Sequence, residues 1–239
     1  MNTKIQEQII FQDHNLVAVN KPPGLLTIQD REGHPALRNH LQHVFGEIYT
    51  VHRLDRDTSG VVVFARTAEV HKQLSQLFEG RAVTKFYQGL VHGRPAIKSG
   101  NIEAAIMEHP VAKGTMVINK KGKQSLTTYN VFESFATFSW VQFQIHTGRT
   151  HQIIVHMKHI GHPIVCDAVY GDGKPVFISS IKRDYHLSKK DEEERPILAR
   201  LALHSSKLEF VVNGKEYKFE APLPKDLRAL LQQLKKHSA

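Results

Sequence analysis

Two carboxylates, two hydroxyls and a glycine crowd into the six residues Asp55-Arg56-Asp57-Thr58-Ser59-Gly60. The segment follows Val51 to Leu54 and precedes the β-branched run Val61-Val62-Val63-Phe64. It therefore reads as a polar loop that begins at a strand end, a common place for catalytic groups. Arg53 and Arg56 flank Asp55, and nearby cations hold a carboxylate ionised and therefore nucleophilic. On composition alone, an aspartate that starts a turn and makes a local ion pair fits the same residues. Asp57, two positions on, need not converge with Asp55 on one atom and reads as a turn cap.

Other residue types could do chemistry elsewhere. His151, His156, His159 and His162 raise the question of zinc, and 156 and 159 would face one way on a continued helix. His151 and His156 are poorly aligned, and neither a cysteine nor a well-placed carboxylate joins them, so no metal is expected. Lys113, Lys120, Lys121 and Lys123 suit phosphate contacts or an ordinary solvated turn. Cys166 is the only cysteine, which rules out an intrachain disulfide and fits a reducing cytoplasm.

The elements that must position these groups are legible from pattern. Ile9-Ile10-Phe11 and Leu16 to Val19 read as paired strands, the second stopped by Lys21-Pro22-Pro23-Gly24. Pro35 opens a helix with Leu37, Leu41 and Phe45 at helical spacing. Val51 to Leu54 leads into the polar loop, and Val61 to Phe64 follows it as a strand. Thr67 caps a helix bearing Val70, Leu74, Leu77 and Phe78, which Gly80 ends. Residues 82 to about 145 are mostly strand. Lys85 and Tyr87 share one face of theirs by the two-residue period.

Lys120-Lys121-Gly122-Lys123 reads as a basic hairpin turn. After the polar turn His146 to Thr150, a helix carries Ile153, Met157 and Ile160, with Gly161 at its exit. Residues 172–197 read as an insertion with mixed charge blocks, among them Lys182-Arg183, Lys189-Lys190 and Asp191 to Glu194. Asn213-Gly214 is the strongest short hairpin signal, joining Leu201–Val212 to Lys215–Phe219. Leu227, Leu230, Leu231 and Leu234 make a closing amphipathic helix. Strands and helices intermingle without regular βαβ alternation, so the fold class is α+β in a single domain over residues 1–239.

With 41% hydrophobic and 23% charged residues, the 239-residue chain has the composition of a soluble globular protein. No window approaches a membrane span, and the polar start Met1 to Phe11 is no signal peptide. A net charge of +9 favours a polyanionic partner. Charge alone does not separate RNA from DNA, or either from a merely basic protein. Oligomeric state is not encoded in any such feature, and a monomer is the default for this size.

Several longer strings carry a resemblance. His52-Arg53-Leu54-Asp55-Arg56-Asp57-Thr58-Ser59-Gly60 resembles the signature of RluA-type RNA pseudouridine synthases. Asn20-Lys21-Pro22-Pro23-Gly24-Leu25 resembles that family's early motif, Lys85-Phe86-Tyr87-Gln88-Gly89-Leu90-Val91 its tyrosine-bearing strand, and Thr147-Gly148-Arg149-Thr150-His151-Gln152-Ile153 its arginine motif. Gly161-His162-Pro163-Ile164, Asp167, Tyr170-Gly171 and Leu203-His204 follow in order, so the likeness spans roughly residues 9 to 225. Two departures stand out: Ile154 lies where the family often has a basic residue, and the chain has no room for the S4-type RNA-binding domain of many members.

The resemblance implies a pseudouridine synthase fold, a mixed and mostly antiparallel central sheet flanked by helices and loops around a central cleft. It implies uridines of ribosomal RNA, transfer RNA or both as substrate. It also implies Asp55 as nucleophile, attacking C1′ of the ribose or C6 of the ring. Arg149 would pair with that carboxylate, and Tyr87 would stack on the base and take part in moving the C5 proton. Arg53 would fill the stack vacated by a flipped uridine or clamp its phosphate. Ile153, His52, Leu54 and Arg56 would complete the substrate contacts. An isomerisation requires no cofactor.

Two other functions compete. Asp55-x-Asp57-Thr58 also resembles the aspartyl-phosphate loop of haloacid-dehalogenase-type phosphatases. That class wants an apolar strand running into the first aspartate, where His52-Arg53 stands here, and a later acidic pair for magnesium. A non-catalytic RNA-binding protein or RNA chaperone on the same fold is the second alternative, and intact Asp55, Tyr87 and Arg149 argue against lost activity.

Overall fold

The computed structural model describes residues 5–182, 185–186 and 193–237. Arg183 and Lys189 to Glu192 of the expected insertion lie outside the described residues. In chain order the elements are β1 (Ile9–Gln12), β2 (Leu16–Lys21), α1 (Leu37–Phe45), β3 (Tyr49–Thr50), β4 (Ser59–Ala65), α2 (Ala68–Glu79) and β5 (Thr84–His92). They continue as β6 (Ser99–Glu103), β7 (Ile106–Glu108), β8 (Met116–Ile118), β9 (Leu126–Ser134), β10 (Phe138–Ile145) and α3 (Gln152–His159). β11 (Leu203–Val212), β12 (Lys215–Glu220) and α4 (Lys225–His237) complete them.

The chain divides into two compact units, the first made of Met1–Gln88, Gln144–Thr147 and Leu203–Pro222, the second of Gly89–Phe143, Gly148–Ala202 and Leu223–Ala239. Two of the divisions, at 88/89 and 143/144, fall within strands, β5 and β10. Strands pair antiparallel at β1–β2, β2–β4, β3–β4, β6–β9, β7–β8 and β11–β12 and parallel at β4–β11, so the fold is α+β with a mixed, mostly antiparallel sheet.

In the first unit the strand order is β1-β2-β4-β11-β5, with β3 beside β4 and β12 beside β11. β4 lies between β2, antiparallel, and β11, parallel, and every one of its residues is buried. An interior strand covered on both faces needs a continuous apolar run instead of alternation, which is what Val61 to Phe64 supplies. Val61, Val63, Leu16, Ala18, Leu208, Phe210 and Phe219 pack with Val70 and Leu74 of α2 into one core. Thr67 Oγ1 accepts the Val70 N–H, fixing the start of that helix as expected. Asn213 and Gly214 both take positive φ, 51° and 72°, the geometry a two-residue hairpin turn of this twist demands.

In the second unit the order is β5-β10-β9-β6, with β7 and β8 as a separate antiparallel pair. Residues 152–157 of α3 are all buried. α4 buries the four leucines read from its spacing, and Arg200 grips Asp226 in its first turn through two hydrogen bonds of 2.7 Å.

Two expectations are corrected. Val51 to Leu54 is not a strand: β3 ends at Thr50, so Asp55 sits inside an irregular segment and not at a strand end. Lys120 to Gly122 forms a turn, but the hairpin lies elsewhere, because β8 pairs back on β7 and Lys123 bridges to Ile106. A basic Gly-containing string marks a turn without saying which strands it joins.

Candidate active site

The backbone on both sides of Asp55 is clamped. Thr27 Oγ1 donates to the Leu54 carbonyl at 2.8 Å and accepts the Leu54 N–H at 3.1 Å, both groups being buried. On the other side, the Arg56 carbonyl accepts from Lys21 Nζ at 2.9 Å and from the Gly24 N–H at 2.9 Å. Lys21 is fully buried at the end of β2, and its Nζ also donates to the carbonyls of Pro22 and Leu25. A buried ammonium is stable only with its protons accepted. Lys21 thereby ties the Pro-Pro-Gly turn to the segment bearing Asp55. The Thr58 N–H donates to the Asp55 carbonyl at 3.2 Å, closing the turn that leads into β4. Asp55 is half-buried on this frame.

Gly60 and Ser205 bring Tyr87 into the same place. The two residues face each other in the parallel β4–β11 register. Gly60 takes a φ of 114°, and a Cβ there would lie 2.1 Å from the Ser205 carbonyl oxygen, so only glycine permits this approach. Ser205 Oγ donates to the Val61 carbonyl at 3.3 Å and is hydrogen-bonded to the Tyr87 hydroxyl. Burial, and then the charge of Asp55, push the Tyr87 hydroxyl well above its ordinary pKa, with the Ser205 bond opposing them. Asp55 and Tyr87 thus meet electrostatically within the first unit. One residue upstream of Gly60, Ser59 Oγ lies 2.9 Å from His204 Nδ1, and His204 Nε2 lies 3.1 Å from the Ala221 carbonyl. That carbonyl can only accept, so Nε2 carries the proton and Ser59 donates to Nδ1.

The signature neighbours divide by orientation. His52 points inward: its Nε2 accepts the Val63 N–H at 3.0 Å and its ring stacks on Phe78 with centroids 4.6 Å apart. Burial, reinforced by the charge of Lys85, holds its pKa down to about 3, so the ring is neutral. These contacts of His52, and the burial of Leu54, hold the segment to the core. Arg53 and Arg56 are exposed. Arg56 Nε donates to the Gly24 carbonyl at 3.2 Å. Among the described residues Arg53 makes no ion pair with Asp57.

Arg149 and Ile153 belong to the second unit. Arg149 precedes α3; its N–H donates to Gln152 Oε1 at 3.0 Å, while its Nε is buried without a hydrogen-bond partner. Gln152 Nε2 donates to the Leu126 carbonyl and to Thr127 Oγ1, both at 3.0 Å. Ile153 is buried in α3, as is Ile154, whose side chain is therefore not presented for phosphate contact. His156 Nδ1 lies 3.0 Å from Thr127 Oγ1 and its Nε2 lies 3.1 Å from the Ala104 carbonyl. Burial lowers its pKa. The supports missed by the sequence reading, Lys21, Thr27, Ser205 and Gln152, are polar residues inside otherwise apolar surroundings. Lys21 and Gln152 had a local signal, each inside a motif string, but their bonds to distant carbonyls did not.

An α+β sheet that sets a carboxylate loop beside a buried tyrosine is a fold with close solved counterparts. Human RNA pseudouridylate synthase domain containing 4 superposes with a TM-score of 0.76 at 25% identity, over 98% of this chain and 95% of that one. Human RNA pseudouridylate synthase domain containing 1 gives a TM-score of 0.71, over 95% of this chain and 94% of that one. The RNA pseudouridylate synthase family model matches residues 15–159, which include Asp55, Tyr87, Arg149 and Ile153. The ribosomal large subunit pseudouridine synthase D of Buchnera aphidicola is 34% identical over 242 residues, 95% of this chain and 73% of its own length. Its namesake from Pseudomonas aeruginosa is 34% identical over 244 residues, 97% of this chain and 72% of its own length. The chain belongs to the RNA pseudouridylate synthase family, and it is an isomerase acting on uridine in RNA.

Proposed function

We propose that this enzyme converts uridines of ribosomal RNA, transfer RNA or both to pseudouridine with Asp55 as its nucleophile. The observation that carries this reading is the Asp55 carboxylate, set on a backbone clamped at Leu54 and Arg56 beside a tyrosine that stays protonated. The names of the relatives support a ribosomal target. Attack at C1′ displaces N1, and the carboxylate is displaced in turn when C5 of the turned uracil bonds to C1′; after attack at C6 the carboxylate is instead eliminated from C6 as the C5 proton leaves. Either route splits the glycosidic step into easier covalent steps, and the proton lost from C5 is balanced by one gained at N1. Tyr87 offers its ring face to the base and its hydroxyl as a proton donor, not as a phenolate. Arg149 supplies the guanidinium of the reaction, on the likeness of its motif, and Ile153 serves as apolar support for the base. Uridine in folded RNA must leave its stack to react, and exposed Arg53 fills or clamps the vacated place.

Tritium release from RNA labelled at uracil C5 tests this with ribosomal and transfer RNA fragments. Wild type should release tritium from at least one of them and Asp55→Ala from none. No release from any RNA, or full release by the variant, ends the proposal. Arg53→Ala should lose more turnover on structured RNA than on a short single strand, and equal losses would remove that role.

A further inference from the structure

Arg149 lies outside any helix or strand, so its direction depends on how the chain enters α3. Two devices hold that entry within the second unit. One is Gln152, whose Oε1 takes the Arg149 N–H while its amide is pinned to β9. The other is His151, the residue between them that turns the chain. His151 adopts the left-handed conformation, with φ 55° and ψ 22°, a single-residue excursion that costs about 1 kcal/mol for an L-residue. It caps α3 with no side-chain bond, so its ring is not occupied by the helix end.

The ring is held from elsewhere. His151 Nδ1 lies 2.7 Å from the Tyr170 hydroxyl, and the two rings meet edge to face with centroids 5.4 Å apart. The same hydroxyl accepts the Met116 N–H of β8 at 2.7 Å. That oxygen therefore serves the β8 backbone and the His151 ring together. Tyr170 is itself aimed by a turn in which Asp167 Oδ1 accepts the N–H groups of Val169 and Tyr170, at 2.9 and 3.0 Å. A single hydroxyl thus connects β8 and the Asp167 turn to the residue that steers Arg149.

We infer that Tyr170 is a positioning residue for Arg149, acting through the left-handed His151. This rests on the reading of Arg149 as a group of the reaction. Loss of the hydroxyl removes this hold on the His151 ring and lets the Arg149 backbone relax, and small misplacements of a reacting group slow the chemical step while sparing binding.

Single-turnover rates and RNA Kd values for four variants, with thermal unfolding of each, form the test. Tyr170→Phe and His151→Ala should each lose about tenfold in rate with Kd changed by less than about twofold. His151→Asn should keep the rate within about threefold, because Asn tolerates the left-handed region and its amide offers both a donor and an acceptor in place of Nδ1. Arg149→Ala should lose more than any of them. An unchanged rate in Tyr170→Phe, a weakened Kd with an unchanged rate, or a His151→Asn as slow as His151→Ala overturns the inference while leaving Arg149 in place. A full rate in Arg149→Ala would remove the reading beneath it.

Discussion

Gly60 shows how much one residue can control around Asp55. Its positive φ and its contact with the Ser205 backbone leave no room for a methyl group. The obstacle is a strand carbonyl, which cannot rotate away as a flexible side chain would. Gly60→Ala should therefore cost about 3 kcal/mol of stability, read from urea midpoints, and an effect below about 1 kcal/mol would show that β11 yields. His52 gives a second prediction. Its folded pKa is depressed to about 3, whereas an unfolded histidine takes its proton near 6.5. Unfolding then takes up a proton between those values, so stability is unaffected by His52 above about 6.5 and declines as the pH falls toward 3. His52→Gln should flatten that decline by about 1.4 kcal/mol per pH unit, and parallel curves for variant and wild type between pH 7 and 5 would refute the assignment. The reactive types at 55, 87 and 149 were legible as residues. The fate of His52 was not, because its partners Val63 and Phe78 are brought to it by folding.

At the scale of elements, α3 illustrates both what periodicity reads and what it leaves out. Ile153 and Met157 lie on its buried side as spacing predicts, but Gln152 and His156 are buried as well. They are tolerable because Leu126, Thr127 and Ala104 accept or donate at every turn of the contact. Gln152→Ala should remove about 1–3 kcal/mol of stability, since it orphans buried partners, and should also slow catalysis by loosening Arg149. A variant of lower melting temperature but undiminished rate would separate α3 from the catalytic arrangement. The hairpin at Asn213-Gly214 was readable because both positive φ values are local demands. The loop before β4 was misread at its start because Val51 to Leu54 has strand-like residues but only Tyr49 and Thr50 find a partner in β4.

For the whole molecule, the net charge of +9 sets the expected salt response. RNA affinity should fall steeply from 50 to 200 mM salt, as counterions released from phosphates carry much of the binding. If Arg53 clamps a phosphate, Arg53→Ala should make the log–log salt slope shallower by about 0.7–0.9, and an unchanged slope would place Arg53 on the base or away from the RNA. No helix among the described residues is long and apolar enough to cross a membrane.

By itself the sequence determined the family-level motifs, the strand and helix periods, and the identities of Asp55, Tyr87 and Arg149. Each of these is carried by residue type and short-range order. The tertiary structure decided what environment each group has. It buried Lys21 against three carbonyls, kept His52 neutral, raised Tyr87, and made Gly60 irreplaceable. Those outcomes depend on partners far along the chain, Thr27 for Leu54, Ser205 for Tyr87 and Tyr170 for His151. Burial and hydrogen-bond partnership are properties of neighbours in space, and no local period of residues specifies them.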